Sequence, residues 1–91
     1  MTKIKRRNHN MVAAQILKVC RGGASKAKVV YEANLNSAIG TQYLNHLAKS
    51  GLIETISDGS RFIYKTTPKG LELQEKLGQF QSIMDKLYST A

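Results

Sequence analysis

The chain has 91 residues, room for one domain, and 42% of them are apolar, which excludes a chain disordered by composition. Fourteen Lys and Arg against six Asp and Glu give a net charge of +8, an imbalance that attracts polyanions, nucleic acid foremost. The single cysteine, Cys20, excludes an intramolecular disulfide. No apolar run approaches the roughly 18 residues of a membrane span, and no apolar stretch follows the basic N-terminus as in a signal peptide, so a soluble, cytoplasmic protein is expected.

Residues 1–7 read as a flexible basic arm with Lys3, Lys5, Arg6 and Arg7. Asn8 or Asn10 caps a first helix, since an Asn side chain accepts from the orphan N–H groups one turn on. Val12, Ile16 and Val19, with Leu17 and Cys20 beside them, recur there at helical spacing until Gly22-Gly23. Ser25 caps a short second helix to about Ala33, which turns Val29, Val30 and Ala33 inward. Asn34 tolerates the left-handed conformation that ends a helix, Leu35 anchors the turn in the core, and Asn36 caps the next helix. That third helix runs from Ser37 to about Ser50, with Gly51 as its stop. Gly40, Tyr43, Leu44 and Leu47 share one face, while Thr41, Gln42, Asn45 and Lys49 lie largely on the other.

The period then changes. Leu52–Ile56 reads as a strand, Asp58-Gly59 as a hairpin turn, and Arg61–Thr66 as the return strand. Thr67 caps a last helix to about Tyr88, with Pro68 at its first position, where a missing N–H costs nothing. Leu73, Leu77, Phe80, Met84 and Leu87 are spaced 4, 3, 4, 3 along it, a heptad a/d pattern weakened by Gly78. Three helices, a hairpin and a helix give a mainly α fold with a small β-hairpin: a winged helix-turn-helix with a long C-terminal helix. The expected organisation is an arm over 1–7, a DNA-binding domain over 8–67 and a dimerisation helix over 68–91.

Charge is distributed unevenly. Eight cations precede the first acid, Glu32, whereas Lys69, Lys76 and Lys86 are met by Glu72, Glu75 and Asp85 after Pro68. A major groove about 12 Å wide admits one α-helix. Ser37, Thr41, Gln42 and Asn45 are the candidate groove-facing side chains, because Gln and Asn bond adenine edges bidentately and Thr meets a base or a methyl group. Lys26, Lys28 and Lys49, with Lys5, Arg6 and Arg7 of the arm, are the candidate phosphate contacts. Arg61, past the turn, is a candidate for a minor groove or a phosphate.

The segment LNHLAKSGLI (44–53), followed by a hairpin and YKTTPKGLE (64–72), resembles many bacterial and archaeal winged-helix regulators. Residues 24–53, ASKAKVVYEANLNSAIGTQYLNHLAKSGLI, are similar to the small archaeal DNA-binding proteins of about ten kilodaltons known from Sulfolobus. That resemblance covers nearly the whole chain. It implies a dimer joined by an antiparallel coiled coil of the last helices, and duplex DNA binding in a chromatin-like or regulatory role. By position it makes Ser37–Lys49 the recognition helix and Asp58–Arg61 the wing tip. The short last helix, with Gly78 at its middle, departs from the pattern and bears on coiled-coil geometry.

The stripe itself argues for a homodimer. Leu73 to Leu87 span about 21 Å at about 1.5 Å per residue, too long for one small domain to cover, and each buried Leu or Phe side chain is worth roughly 1.5–3 kcal/mol. His9, His46 and Cys20 lack metal-site spacing, so no metal or other cofactor is expected. The acids are scattered and no phosphate loop or nucleophile motif appears, so neither catalysis nor a small-molecule ligand is expected. The expected function is therefore sequence-tolerant or operator-specific binding of double-stranded DNA, on the nucleoid or, for a virus-encoded chain, in the host cytoplasm. A winged-helix protein-docking module is the alternative; RNA binding would favour exposed aromatic side chains.

Overall fold

A computed structural model describes residues 8–89. It contains α1 (His9–Val19), α2 (Lys26–Glu32), α3 (Ser37–Lys49), β1 (Ile53–Asp58), β2 (Arg61–Thr66) and α4 (Pro68–Tyr88), a winged helix-turn-helix with a long final helix. Each helix opens on a side-chain oxygen. Asn8 Oδ1 accepts from the Met11 N–H at 2.8 Å, Ser25 Oγ from Lys28 at 3.2 Å, Asn36 Oδ1 from Ile39 at 2.8 Å and Thr67 Oγ1 from Gly70 at 3.1 Å. Of the two candidates, Asn8 caps the first helix.

Two helices close in the same way. Asn34, at φ 55°, and Gly51, at φ 76°, each take the left-handed conformation two residues past a helix, just after its C-cap. The next amide reaches back to a carbonyl five residues earlier, Leu35 to Val30 at 3.0 Å and Leu52 to Leu47 at 2.9 Å. These paired bonds satisfy carbonyls that a helix end otherwise strands. They also explain why β1 starts at Ile53 and not, as expected, at Leu52: the Leu52 N–H closes α3, and its carbonyl accepts the Thr67 N–H at 3.0 Å.

The hairpin pairs β1 with β2 antiparallel, Ile53 opposite Thr66 through Asp58 opposite Arg61. The far edge of β2 is held by Ala24, which exchanges two backbone bonds with Tyr64, at 2.9 and 2.8 Å. The core gathers Val12, Ile16 and Leu17 from α1, Val29 from α2, Leu44 and Leu47 from α3 and Ile53 from β1, with Cys20, Ala24 and Ala33 between elements. One polar side chain is buried with them. The Thr66 hydroxyl donates to the Leu17 carbonyl at 2.7 Å, tying the end of α1 to β2.

Two glycines permit close contact. A Cβ on Gly40 would stand 2.6 Å from Val30 Cγ2, so α3 lies against α2 only because that methyl is missing. A Cβ on Gly70 would overlap the Leu52 carbonyl oxygen, which is backbone and has no rotamer to retreat into. At Gly78 nothing lies within 4 Å. Gly70→Ala is therefore expected to destabilise the fold by about 1–3 kcal/mol, while Gly78→Ala stabilises it by about 0.5–1 kcal/mol through helix propensity; thermal unfolding followed by circular dichroism separates the two.

Cys20 is fully buried, and burial pushes its thiol up to about 11 from an ordinary 9.0, against a smaller pull from Lys28. The raised value favours the protonated form in the folded state. The resulting stability is complete below pH 9.0 and is lost as pH rises toward about 11. At pH 8 a thiol reagent such as Ellman's should label Cys20 slowly in native buffer and rapidly once denaturant is added; fast native labelling would contradict the burial.

Candidate nucleic-acid interface

The turn between α2 and α3 is fixed by Asn34, Leu35 and Asn36 together. Asn34 reverses the chain, half-buried Leu35 packs on the core, and Asn36 caps α3. With Gly40 seated on Val30, α3 is presented at a set distance from α2. At its other flank the His9 Nδ1 and the Tyr43 hydroxyl lie 2.6 Å apart, their rings 5.9 Å between centroids. The first turn of α1 therefore braces α3 against rotation about its own axis.

That bracing settles which side chains α3 offers outward. At about 100° per residue, Ala38, Gln42, Asn45 and Lys49 fall within about 60° of one another, opposite the buried line of Gly40, Leu44 and Leu47. All four are exposed. His46 and Ile39 border this face. Ser37 and Thr41 lie on the opposite flank: Thr41 is half-buried, and its hydroxyl donates to the Ser37 carbonyl at 3.0 Å. Ala38 was not singled out from the sequence. Its place on the outward line follows from helical phase, once Leu44 is known to be at the centre of the buried side, and its small side chain leaves room for close approach.

The cations are spread over several elements. Lys28 is exposed, while Lys26 is half-buried and leaves α2 about 200° of helical rotation away. The two therefore do not form one patch. Lys49 stands at the end of the outward face of α3, and Arg61 is exposed at the start of β2 beside the turn. Lys5, Arg6 and Arg7 lie outside the described residues. Lys69, which played no part in the expected site, donates from Nζ to the Ser50 carbonyl at 3.2 Å and so closes the exposed end of α3. Among the described residues, no three of His, Cys, Asp and Glu come together as metal ligands, and no helix is long and apolar enough to cross a membrane.

The apolar stripe of α4 divides. Leu73, Leu77 and Met84 are half-buried. Phe80 and Leu87 are 53% and 60% exposed, and two residues outside the heptad pattern join them, Ile83 at 63% and Tyr88 at 73%. Only Gly70 of α4 is buried. An open groove of about 440 Å³ runs between α1 and α4, walled on its apolar side by Met11, Ala14, Leu77 and Phe80.

A family model described as winged helix-turn-helix matches residues 6–85. No curated protein matches the chain. Among solved structures, Sso10a-2, a DNA-binding protein from Sulfolobus solfataricus, is 30% identical over 91% of this chain and 87% of its own, with a TM-score of 0.86. The transcriptional regulator BldR from the same organism is 19% identical over 88% of this chain and 61% of its own, with a TM-score of 0.76. MepR, a Staphylococcus aureus transcription regulator of a multidrug efflux pump, is 17% identical over 88% and 64%, with a TM-score of 0.71. The last two share the fold, and this chain spans less than two thirds of their length.

Proposed function

Since the chain belongs to the winged helix-turn-helix family, we propose that it binds double-stranded DNA as a homodimer, with α3 in the major groove, and serves in the cytoplasm as a transcription regulator or a chromatin-like architectural protein. The observation that carries this reading is the outward face of α3. Gln42 and Asn45 stand there as amides able to bond a base edge in two places. Lys49 closes the line as a phosphate partner. Ala38, at its N-terminal end, lets the helix approach the groove closely. Ser37 and Thr41 take part from the flank, nearer the sugar-phosphate walls than the base edges. The net charge of +8 supplies the long-range attraction.

Homodimer formation is supported by the under-packing of α4. A helix of 21 residues that buries only Gly70 within its own protomer has little reason to persist in water alone. Phe80, Ile83 and Leu87 lie within about 60° of one another, with Phe80 at the edge of the groove against α1 and Ile83 farthest from it. A second copy, its last helix antiparallel to the first, covers them and the adjoining groove. Two α3 helices then face the same duplex, as a two-fold assembly requires.

The test is fluorescence anisotropy with two labelled duplexes of unrelated sequence at several salt concentrations. Tight binding that weakens steeply with salt is expected. Lys49→Ala should weaken both duplexes alike and lower the salt slope by about one, whereas Gln42→Ala and Asn45→Ala should alter the ratio between them. Absence of binding at low salt would overturn the reading.

For the assembly, Ile83→Glu combined with Leu87→Glu should give monomers in sedimentation equilibrium while leaving the helical circular dichroism of the domain in place. A dimer that survives both substitutions would place the interface elsewhere.

A further inference from the structure

Phe62 is a large apolar side chain left 59% exposed at the end of the hairpin. Register explains why. In an antiparallel pair, residues directly opposite share a face. Phe62 thus belongs with Tyr64 and Thr66 of β2 and with Ile53, Thr55 and Ser57 of β1, the face whose inner members reach the core. Thr66 is 4% exposed, Tyr64 half-buried and Phe62 mostly open, so the strand runs past the body of the protein and takes its last ring with it. Opposite Phe62 stands Ser57, too small to cover it, and Gly59 and Ser60 of the turn are themselves exposed.

A solvated aromatic ring at a hairpin tip has an identifiable use when the chain as a whole is strongly cationic, as here at +8. Arg61, the preceding residue, points to the opposite face of the ribbon, so the tip carries a guanidinium on one side and a ring on the other. Lys65 is a second exposed cation further along β2; in register it stands opposite Glu54, as Arg61 stands opposite Asp58, so the charges of the hairpin itself balance. An apolar protein partner finds a poor match in a single ring flanked by charges of both signs, whereas a polyanion with apolar surface within it matches the ring and the net positive charge of the chain. A duplex has such surface between and beneath its base pairs. The minor groove, about 6 Å wide, is too narrow for a two-stranded ribbon whose strands alone lie about 4.8 Å apart. Only side chains at the tip enter.

The geometry points to Phe62 as an apolar wedge that the wing presses into the minor groove, partly unstacking a base step while Arg61 holds the adjacent phosphates. This rests on duplex DNA binding by α3 and extends it to a bend in the DNA. Apolar wedges of this kind kink duplexes toward the major groove and favour flexible pyrimidine–purine steps.

The experiment uses the full chain and a duplex of about 30 base pairs carrying a donor and an acceptor dye at its ends, with a central TA step in one version and an A-tract in the other. Wild-type protein should shorten the end-to-end distance and bind the TA duplex more tightly. Phe62→Ala should weaken binding on the order of tenfold and abolish both the shortening and the preference for TA. Arg61→Ala should weaken binding with a shallower salt slope and leave the bend of the saturated complex in place. A Phe62→Ala protein that binds and bends as wild type does would overturn the wedge while leaving DNA binding intact. Wild-type protein that binds no duplex would remove the DNA reading itself, and a Phe62→Ala protein altered only in sedimentation would assign the ring to a second copy of the chain.

Discussion

The Thr67 hydroxyl sits where α3, the hairpin and α4 meet. It accepts from the Gly70 N–H and so caps α4, and it donates to the Gly51 carbonyl at 2.7 Å, where α3 has just ended. The Thr67 N–H meets the carbonyl of Leu52, whose own N–H closes α3. Gly70 rests on the same carbonyl group, and Lys69 reaches back to Ser50. Within a few residues the end of α3, the start of the hairpin and the start of α4 are bound by hydrogen bonds with little slack. Movement of α4 is therefore transmitted to α3 and the hairpin, and a partner that fixes α4 also fixes the angle at which α3 is offered.

That coupling gives the poor packing of α4 its meaning. Among the described residues the domain core is small, ten apolar residues of which none comes from α4, and half-buried Leu73 is the chief link between them. Alone, α4 would be held by its N-terminal turn and by one side of α1, with Phe80, Ile83, Leu87 and Tyr88 in water. In the proposed homodimer, a second copy covering these residues stabilises the helix and, through the Thr67 junction, orients the two α3 helices. Folding energy and binding geometry thus draw on the same apolar surface.

Much of the fold is legible from the sequence because its boundaries rest on local chemistry. Ser25, Asn36 and Thr67 cap helices by bonding amides three residues on, and Asn34 and Gly51 end them by taking a positive φ, all within one turn of chain. What escapes is what depends on contacts distant in sequence. Leu52 looks like a strand residue by pattern but is held by Leu47 and Thr67. Thr66 looks like an edge threonine but is buried against Leu17, 49 residues away. Ile83 falls outside the heptad spacing and is exposed with the stripe because α1 occupies the other side of α4. Phe62 alternates correctly for a core position, and only the overshoot of the hairpin leaves it in water.

The candidate site shows the same division. Residue types on α3 can be chosen from the sequence, since amides and a lysine opposite an apolar face fit a groove. Their phase is legible only coarsely: the apolar line places Gln42, Asn45 and Lys49 outward, but Thr41, equally polar, is half-buried at the flank. Gly40 against Val30 and Tyr43 against His9 determine it, and both contacts cross between helices. The brace also limits how the helix can adapt: rotating α3 to bring Thr41 outward would drive Gly40 off Val30 and separate Tyr43 from His9. In the proposed complex, α3 therefore meets the base edges through Ala38, Gln42, Asn45 and Lys49 from a fixed helix, with Ser37 and Thr41 at its flank. In the proposed wedge, further discrimination between sequences comes from the deformability of the DNA, sensed where the wing meets it.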